Sequence, residues 1–224
     1  MLSETRTRPK WMRVSTRENP MKELFDQLTN LKHGTPDAVL PGWCDSDKAF
    51  TLASLVVATR PDTILEIGVF GGASLIPMAL ACKALKHGVV IGVDAWSKDV
   101  AMAAQTEESS RAWWGALDYD KLYEDLKSKI TLFGLGDYAY IVRSKTDDFL
   151  CCNSIDLFHC DGDHSEQALK DVERFSPKVR KGGYCVLDDL QWTGNGVIHA
   201  EEHLLKTGFR KLYLLGTGAV YLRE

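Results

Sequence analysis

The chain has 224 residues, 45% of them hydrophobic, and a formal net charge of −4. That is enough for one α/β domain with a buried core. The charges form no long run of one sign, which argues against nucleic acid as a partner, and no apolar stretch approaches the ~20 residues that span a bilayer. The opening "MLSETRTRPKWMRVSTRENP" lacks the apolar centre of a secretory signal and reads as a basic, polar tail, mobile or draped on the surface. The six cysteines, Cys44, Cys82, Cys151, Cys152, Cys160 and Cys185, contain no CxxC pair. They are expected to be reduced thiols in a cytoplasmic protein, without zinc.

In chain order, "NPMKELFDQLTNLKHG" has helical spacing at Met21, Leu24, Phe25, Leu28 and Leu31 and is closed by Gly34. "SDKAFTLASLVVATRP" predicts a second helix, capped by Asp45 or Ser46 and stopped by Pro61. The period then changes. "TILEIG" is a strand, "GASLIPMALACKAL" a helix despite Pro77, and "HGVVIGVDAW" the next strand. Residues 97–118 fit no element well and read as an insertion, partly helical. "YDKLYEDLKSKI" predicts a helix, "YAYIVR" a strand, "KTDDFLC" a short helix, "SIDLFHC" a strand and "HSEQALKDVERF" a helix. "GGYCVLDD" is a strand, "VIHAEEHLLKTG" a helix, and "FRKLYLL"-"GTG"-"AVYLRE" a closing hairpin.

Alternating strands and helices imply a parallel sheet covered on both faces, while so short a final turn joins only antiparallel strands. The expected fold is therefore α/β: a Rossmann-like, doubly wound, mixed seven-stranded sheet with a C-terminal antiparallel hairpin. Residues 1–40 form a tail and helix, and 41–224 a single domain with a lid-like insertion near 97–118. Ligands in such sheets collect at the C-terminal strand ends. Three acids, Asp94, Asp161 and Asp188, are expected there.

"EIGVFGGAS" is a glycine turn between strand and helix, in which Gly68, Gly71 and Gly72 permit close approach to backbone. Its spacing is not GxGxxG, so a dinucleotide is not favoured. Glu66, just before the turn, suits an amine-bearing or cationic ligand. Asp94 ends the next strand, where an acid accepts hydrogen bonds from ribose hydroxyls. Solvated acids around a plain strand-to-helix turn would give the same pattern.

Asp161 closes one strand, and Asp188 with Asp189 closes another. Converging carboxylates repel and raise one another's pKa, and a hard divalent cation removes that repulsion. Asp163 also fits a capping box with Glu166, and Asp189 a solvated loop. His164, three residues after Asp161, is the candidate general base and Asp163 its rival. His159, His199 and His203 read as structural.

Together, "LEIGVFGGAS", "GVDAW" and "DLFHCDGDHSEQALKDVERFSPKVRKGGYCVLDD" resemble the class I S-adenosylmethionine-dependent methyltransferases over residues 40 to 224. Within them, the chain is similar to the metal-dependent small-molecule O-methyltransferases that include macrolide-sugar and aminocoumarin-sugar enzymes. Catechol and caffeoyl-CoA O-methyltransferases are more distant. The resemblance implies S-adenosylmethionine and a Mg²⁺-type ion as cofactors. Glu66, Gly68 and Ser74 would lie around the methionine part, Asp94 on the ribose, and Trp96 and Ser144 near the adenine. Trp96 and Ser144 fit ordinary packing or a helix cap equally. Asp161, Asp188 and Asp189 would hold the metal, with Asp161 also bordering the cofactor.

The acceptor implied is a sugar hydroxyl, on a glycan or a glycosylated small molecule, with a catechol-like phenol as the alternative. Trp113 and Trp114 would either stack on it or anchor the insertion. "QWTGNGV" would border its pocket as a mobile loop. A nicotinamide-dependent oxidoreductase and a non-catalytic cofactor-binding protein are the rival readings. The N-terminal helices and tail offer a surface for a homo-oligomer.

Overall fold

The structure, a computed structural model, describes residues 19–33, 40–103, 105, 107–151, 153–192 and 195–224. The N-terminal tail to residue 18, Gly34, Cys152 and residues 193–194 of "QWTGNGV" lie outside the described residues. Two helices lead in, α1 (Pro20–His33) and α2 (Ser46–Thr59). Asp45, not Ser46, caps α2, accepting from the Lys48 N–H at 2.8 Å. Strand β1 (Thr63–Ile67), helix α3 (Leu75–Leu85) and strand β2 (Val89–Asp94) follow. Pro77 does not break α3 because it lies in the first turn, where N–H groups have no intrahelical partner.

The insertion at 97–118 contains two helices, α4 (Lys98–Ala103) and α5 (Glu108–Ala116). Helix α6 (Tyr119–Leu132) then crosses to β3 (Ala139–Arg143). "KTDDFLC" gives only a 3₁₀ turn, Thr146–Asp148. The remainder is β4 (Ile155–Cys160), α7 (Glu166–Phe175), β5 (Val179–Leu187), α8 (Asn195–Lys206), β6 (Phe209–Leu215) and β7 (Gly218–Arg223).

The seven strands run β3-β2-β1-β4-β5-β7-β6. β1 to β5 pair in parallel, whereas β7 pairs antiparallel with both β5 and β6. The expected mixed sheet with its closing hairpin is present. Connectivity reverses between β1 and β4, so their C-terminal ends form the switch point where ligands bind in such sheets. Gly68 belongs there: at φ +83, a Cβ on it would stand 2.1 Å from the Asp161 carbonyl oxygen. Its missing side chain lets the ends of β1 and β4 touch.

Strand periodicity sorts the core into two layers. Ile64, Leu157, Val186 and Val220 face α1, α2, α3 and α6. Leu65, Phe158, Cys185 and Tyr221 face α7 and α8. The same alternation sends Glu66, His159, Asp161 and Asp188 to the α2 side. Asp189, one residue on, turns toward the α7 side. The five described cysteines are all free thiols. No helix among the described residues is long and apolar enough to cross a membrane.

Candidate active site

On the α2 side, the strand ends build a chain of buried charge. Ser74 Oγ donates to Glu66 Oε1. His159 Nδ1 lies 2.9 Å from the same oxygen, and its Nε2 lies 3.3 Å from Asp188 Oδ2. Asp188 Oδ2 also meets the ammonium of Lys48, whose Nζ is 2.9 Å from Asp161 Oδ2. Glu66 and His159 are fully buried, and Lys48 is 8% exposed. Three carboxylates thus face two cationic side chains. Glu66 Oε2 is buried and has no hydrogen-bond partner among the described residues. A buried, unpaired carboxylate oxygen costs free energy unless a donor reaches it.

The protonation states follow from this packing. Burial alone would lower the His159 pKa, but its bonds to Asp188 and Glu66 outweigh that and raise it to about 9. Burial works against the charged form of Asp188, yet His159 and Lys48 hold its carboxyl well below the usual range. For Asp161, burial prevails over Lys48 and pushes the carboxyl up to about 6. His159 therefore contributes stability that is fully present below its ordinary 6.5 and is lost as pH rises through about 9. The loss expected is ~3 kcal/mol. Thermal melting should fall across that window in the native protein and flatten in His159→Gln. Parallel pH profiles for the two proteins would contradict the assignment.

On the α7 side, His164 Nε2 is 2.7 Å from Asp189 Oδ2, and the ring stacks on Trp192 at 4.3 Å. Burial opposes the imidazolium, but the Asp189 bond and the charges of Asp189, Asp161 and Asp163 raise its pKa overall. Asp163 accepts from the Ser165 N–H at 2.6 Å. Ser165, rather than Asp163, is the N-cap of α7. Asp189 has φ +56, left-handed backbone that non-glycine residues seldom adopt. Phe70 and Trp96 share that strain, at +48 and +38, in the loops after β1 and β2. Strain of this kind gathers at functional edges.

Among the described residues, two donor groups have ligand atoms within 4.8 Å of one another: His159, Asp161 and Asp188 on the inside, and Asp161, His164 and Asp189 further out. Asp161 belongs to both, while Asp188 and Asp189 fall in different groups. In the inner group, Lys48 stands on the Asp161 and Asp188 oxygens that a bridging ion would use. The outer group, two carboxylates and an imidazole that are all partly exposed, fits a divalent cation.

At the β2 end, Asp94 accepts from Val69 and Phe70 N–H at 3.0 and 2.9 Å and from Trp96 N–H at 2.8 Å. It thereby ties the glycine turn to β2. Trp96 is 1% exposed, packs on Tyr123 at 4.9 Å, and donates from Nε1 to the Phe70 carbonyl. Ser144 N–H donates to the Asp94 carbonyl. A Cβ on Gly71 would meet the Pro41 carbonyl at 2.4 Å, and one on Gly72 the Leu126 side chain at 2.5 Å. The insertion is anchored: Trp113 and Trp114 pack on Trp43 at 5.5 and 5.8 Å and on Phe70 at 6.4 and 5.8 Å. An open cleft of ≈ 540 Å³ lies beside Trp96, Tyr119 and Arg143 and includes none of the acids at the β4 and β5 ends.

Lys48 is the residue that sequence reasoning missed. Its signal was its place on the buried stripe of α2, four residues before Leu52 and eight before Val56.

A sequence profile described as a methyltransferase domain matches residues 65–190. No curated protein matches. Among solved structures, the O-methyltransferase NovP superposes with a TM-score of 0.66 at 15% identity, covering 91% of this chain and 99% of that one. The O-methyltransferase from Bacillus cereus in complex with SAH gives 0.57 at 16% identity, covering 94% and 93%. TomG from Streptomyces achromogenes, involved in tomaymycin synthesis and in complex with SAM, gives 0.55 at 16% identity, covering 92% and 90%. At these identities the likeness is one of fold.

Proposed function

The chain belongs to the methyltransferase-domain family, whose profile spans more than half of it, and from that premise we propose an S-adenosylmethionine-dependent O-methyltransferase acting on a hydroxyl of a sugar or glycosylated small molecule. The observation that carries the reading is Glu66 Oε2, buried without a partner at the switch point. An ammonium or sulfonium ligand supplies the positive charge that the surplus carboxylate calls for. The methionine end of the donor belongs beside Glu66 and Ser74. Its nucleoside belongs toward Asp94, Trp96 and Ser144, on the side of the open cleft.

When bound, S-adenosylmethionine would supply the methyl group to the acceptor oxygen, with S-adenosylhomocysteine as the leaving group. The hydroxyl proton needs a base. We assign this role to His164: an Nε2–H donated to Asp189, 2.7 Å away, would leave Nδ1 free to accept. Asp163 is the weaker candidate, since one of its oxygens is held by the Ser165 N–H. Trp192, half exposed and stacked on His164, offers a flat wall for a sugar or a ring.

A divalent cation such as Mg²⁺ would be held by the Asp161 and Asp189 carboxylates, beside His164, whose one lone pair is kept for the proton. When bound, it supplies a lowered pKa and a fixed orientation for the hydroxyl. A phenolic acceptor is the second reading, favoured by the same Trp192 face.

Incubation with methyl-labelled S-adenosylmethionine and a panel of glycosides and catechols tests the proposal. Label is expected on a glycoside oxygen. Transfer to catechols alone would move the acceptor class, and transfer to amines or thiols alone would overturn O-methylation.

A further inference from the structure

Lys48 lies on a helix face that otherwise buries Leu52, Ala53 and Val56. A lysine there must bring its ammonium to partners, because an unpaired buried cation is costly. The partners are the two strand-end carboxylates that a bridging ion would need. Nζ lies 2.9 Å from Asp161 Oδ2 and in contact with Asp188 Oδ2. The lysine side chain is 9% exposed and that of Asp188 3%, so water screens the group little. His159 adds a second nitrogen against the same Asp188 oxygen, with Nε2 at 3.3 Å. An ammonium is a compact point charge with three donors. It fills this place from the protein's own chain.

We propose that Lys48 is the resident cation of the Asp161–Asp188 pair, that it keeps a divalent ion out of the position between these two carboxylates, and that any such ion is confined to the outer group of Asp161, His164 and Asp189. The proposal rests on the methyltransferase reading only for the purpose of the site; the cation assignment stands on geometry. It makes Lys48 and His159 positioning residues. They fix Asp161 on the active-site edge, and Asp188 serves as their anchor rather than as a metal ligand.

Mn²⁺ binding, followed by calorimetry and by the electron paramagnetic resonance of free Mn²⁺ at low temperature, tests it in the full chain. Asp188→Asn is expected to leave Mn²⁺ affinity within twofold. Lys48→Met is expected to bind Mn²⁺ at least tenfold more tightly than the native protein, and adding Asp188→Asn should cancel that gain. A tenfold loss caused by Asp188→Asn alone would overturn the proposal, as would a Lys48→Met protein with unchanged Mn²⁺ affinity. If Lys48→Met does not fold, crystals of the native protein soaked in Mn²⁺ decide. An anomalous peak between Asp161 and Asp188 with Lys48 displaced refutes it, and a peak at the outer group of Asp161, His164 and Asp189 with Lys48 in place supports it. S-adenosylhomocysteine affinity on the same samples tests the methyltransferase reading separately.

Discussion

Lys48→Ala is expected to destabilise the fold by about 3–5 kcal/mol, the usual cost of removing one partner from a buried charge pair. Two effects add. The Asp188 carboxylate, 3% exposed, loses its ammonium while still charged, and α2 loses a side chain of its buried stripe. Domains of this kind hold roughly 5–15 kcal/mol in all, so the variant should melt far below the native protein. The effect should be conditional. In Lys48→Ala with Asp188→Asn, the uncompensated charge is gone, and at least half of the lost stability should return. Urea unfolding of the single and double variants measures this. Additive losses would show that Lys48 acts by packing rather than by charge.

His164→Ala is expected to lower turnover by roughly 10²-fold, the scale of a lost general base. The pH profile gives a sharper test. The His164 pKa is raised above 6.5, and only the neutral ring can accept a proton. Turnover should therefore climb with pH and reach half its plateau above 6.5. Asp189→Asn removes the charge that raises this pKa, so its acidic limb should move to lower pH while its plateau falls. Steady-state kinetics from pH 5.5 to about 9 would show both. A His164→Ala protein with native turnover would shift the proton to Asp163 or to solvent.

The fold and the edge that carries the site were legible because both rest on periodicity. Apolar runs ending in Asp94, Asp161 and Asp188 placed three acids at the C-terminal ends of three parallel strands, β2, β4 and β5. The fate of the adjacent pair was harder to read. Asp188 and Asp189 invite one shared role, but neighbouring residues leaving a strand point to opposite sides, and the left-handed backbone at Asp189 turns it to His164. His159 passed for structural, although it shares a strand face with Leu157 and Asp161. Lys48 was hidden by distance: 113 residues separate it from Asp161, and only the packing of α2 on the sheet joins them. Gly68 was assigned to ligand approach, whereas its bare Cα also admits the Asp161 backbone. Local pattern reports which side of an element is buried; it does not report which buried charges will meet.

Calorimetric titration of S-adenosylhomocysteine into the native protein and into Glu66→Gln tests the central claim most directly. Saturable 1:1 binding in the native protein, weakened at least tenfold in the variant, is the result predicted from the unpartnered Glu66 oxygen. No binding to a folded native protein, or equal affinity in Glu66→Gln, would contradict a donor site built on that carboxylate.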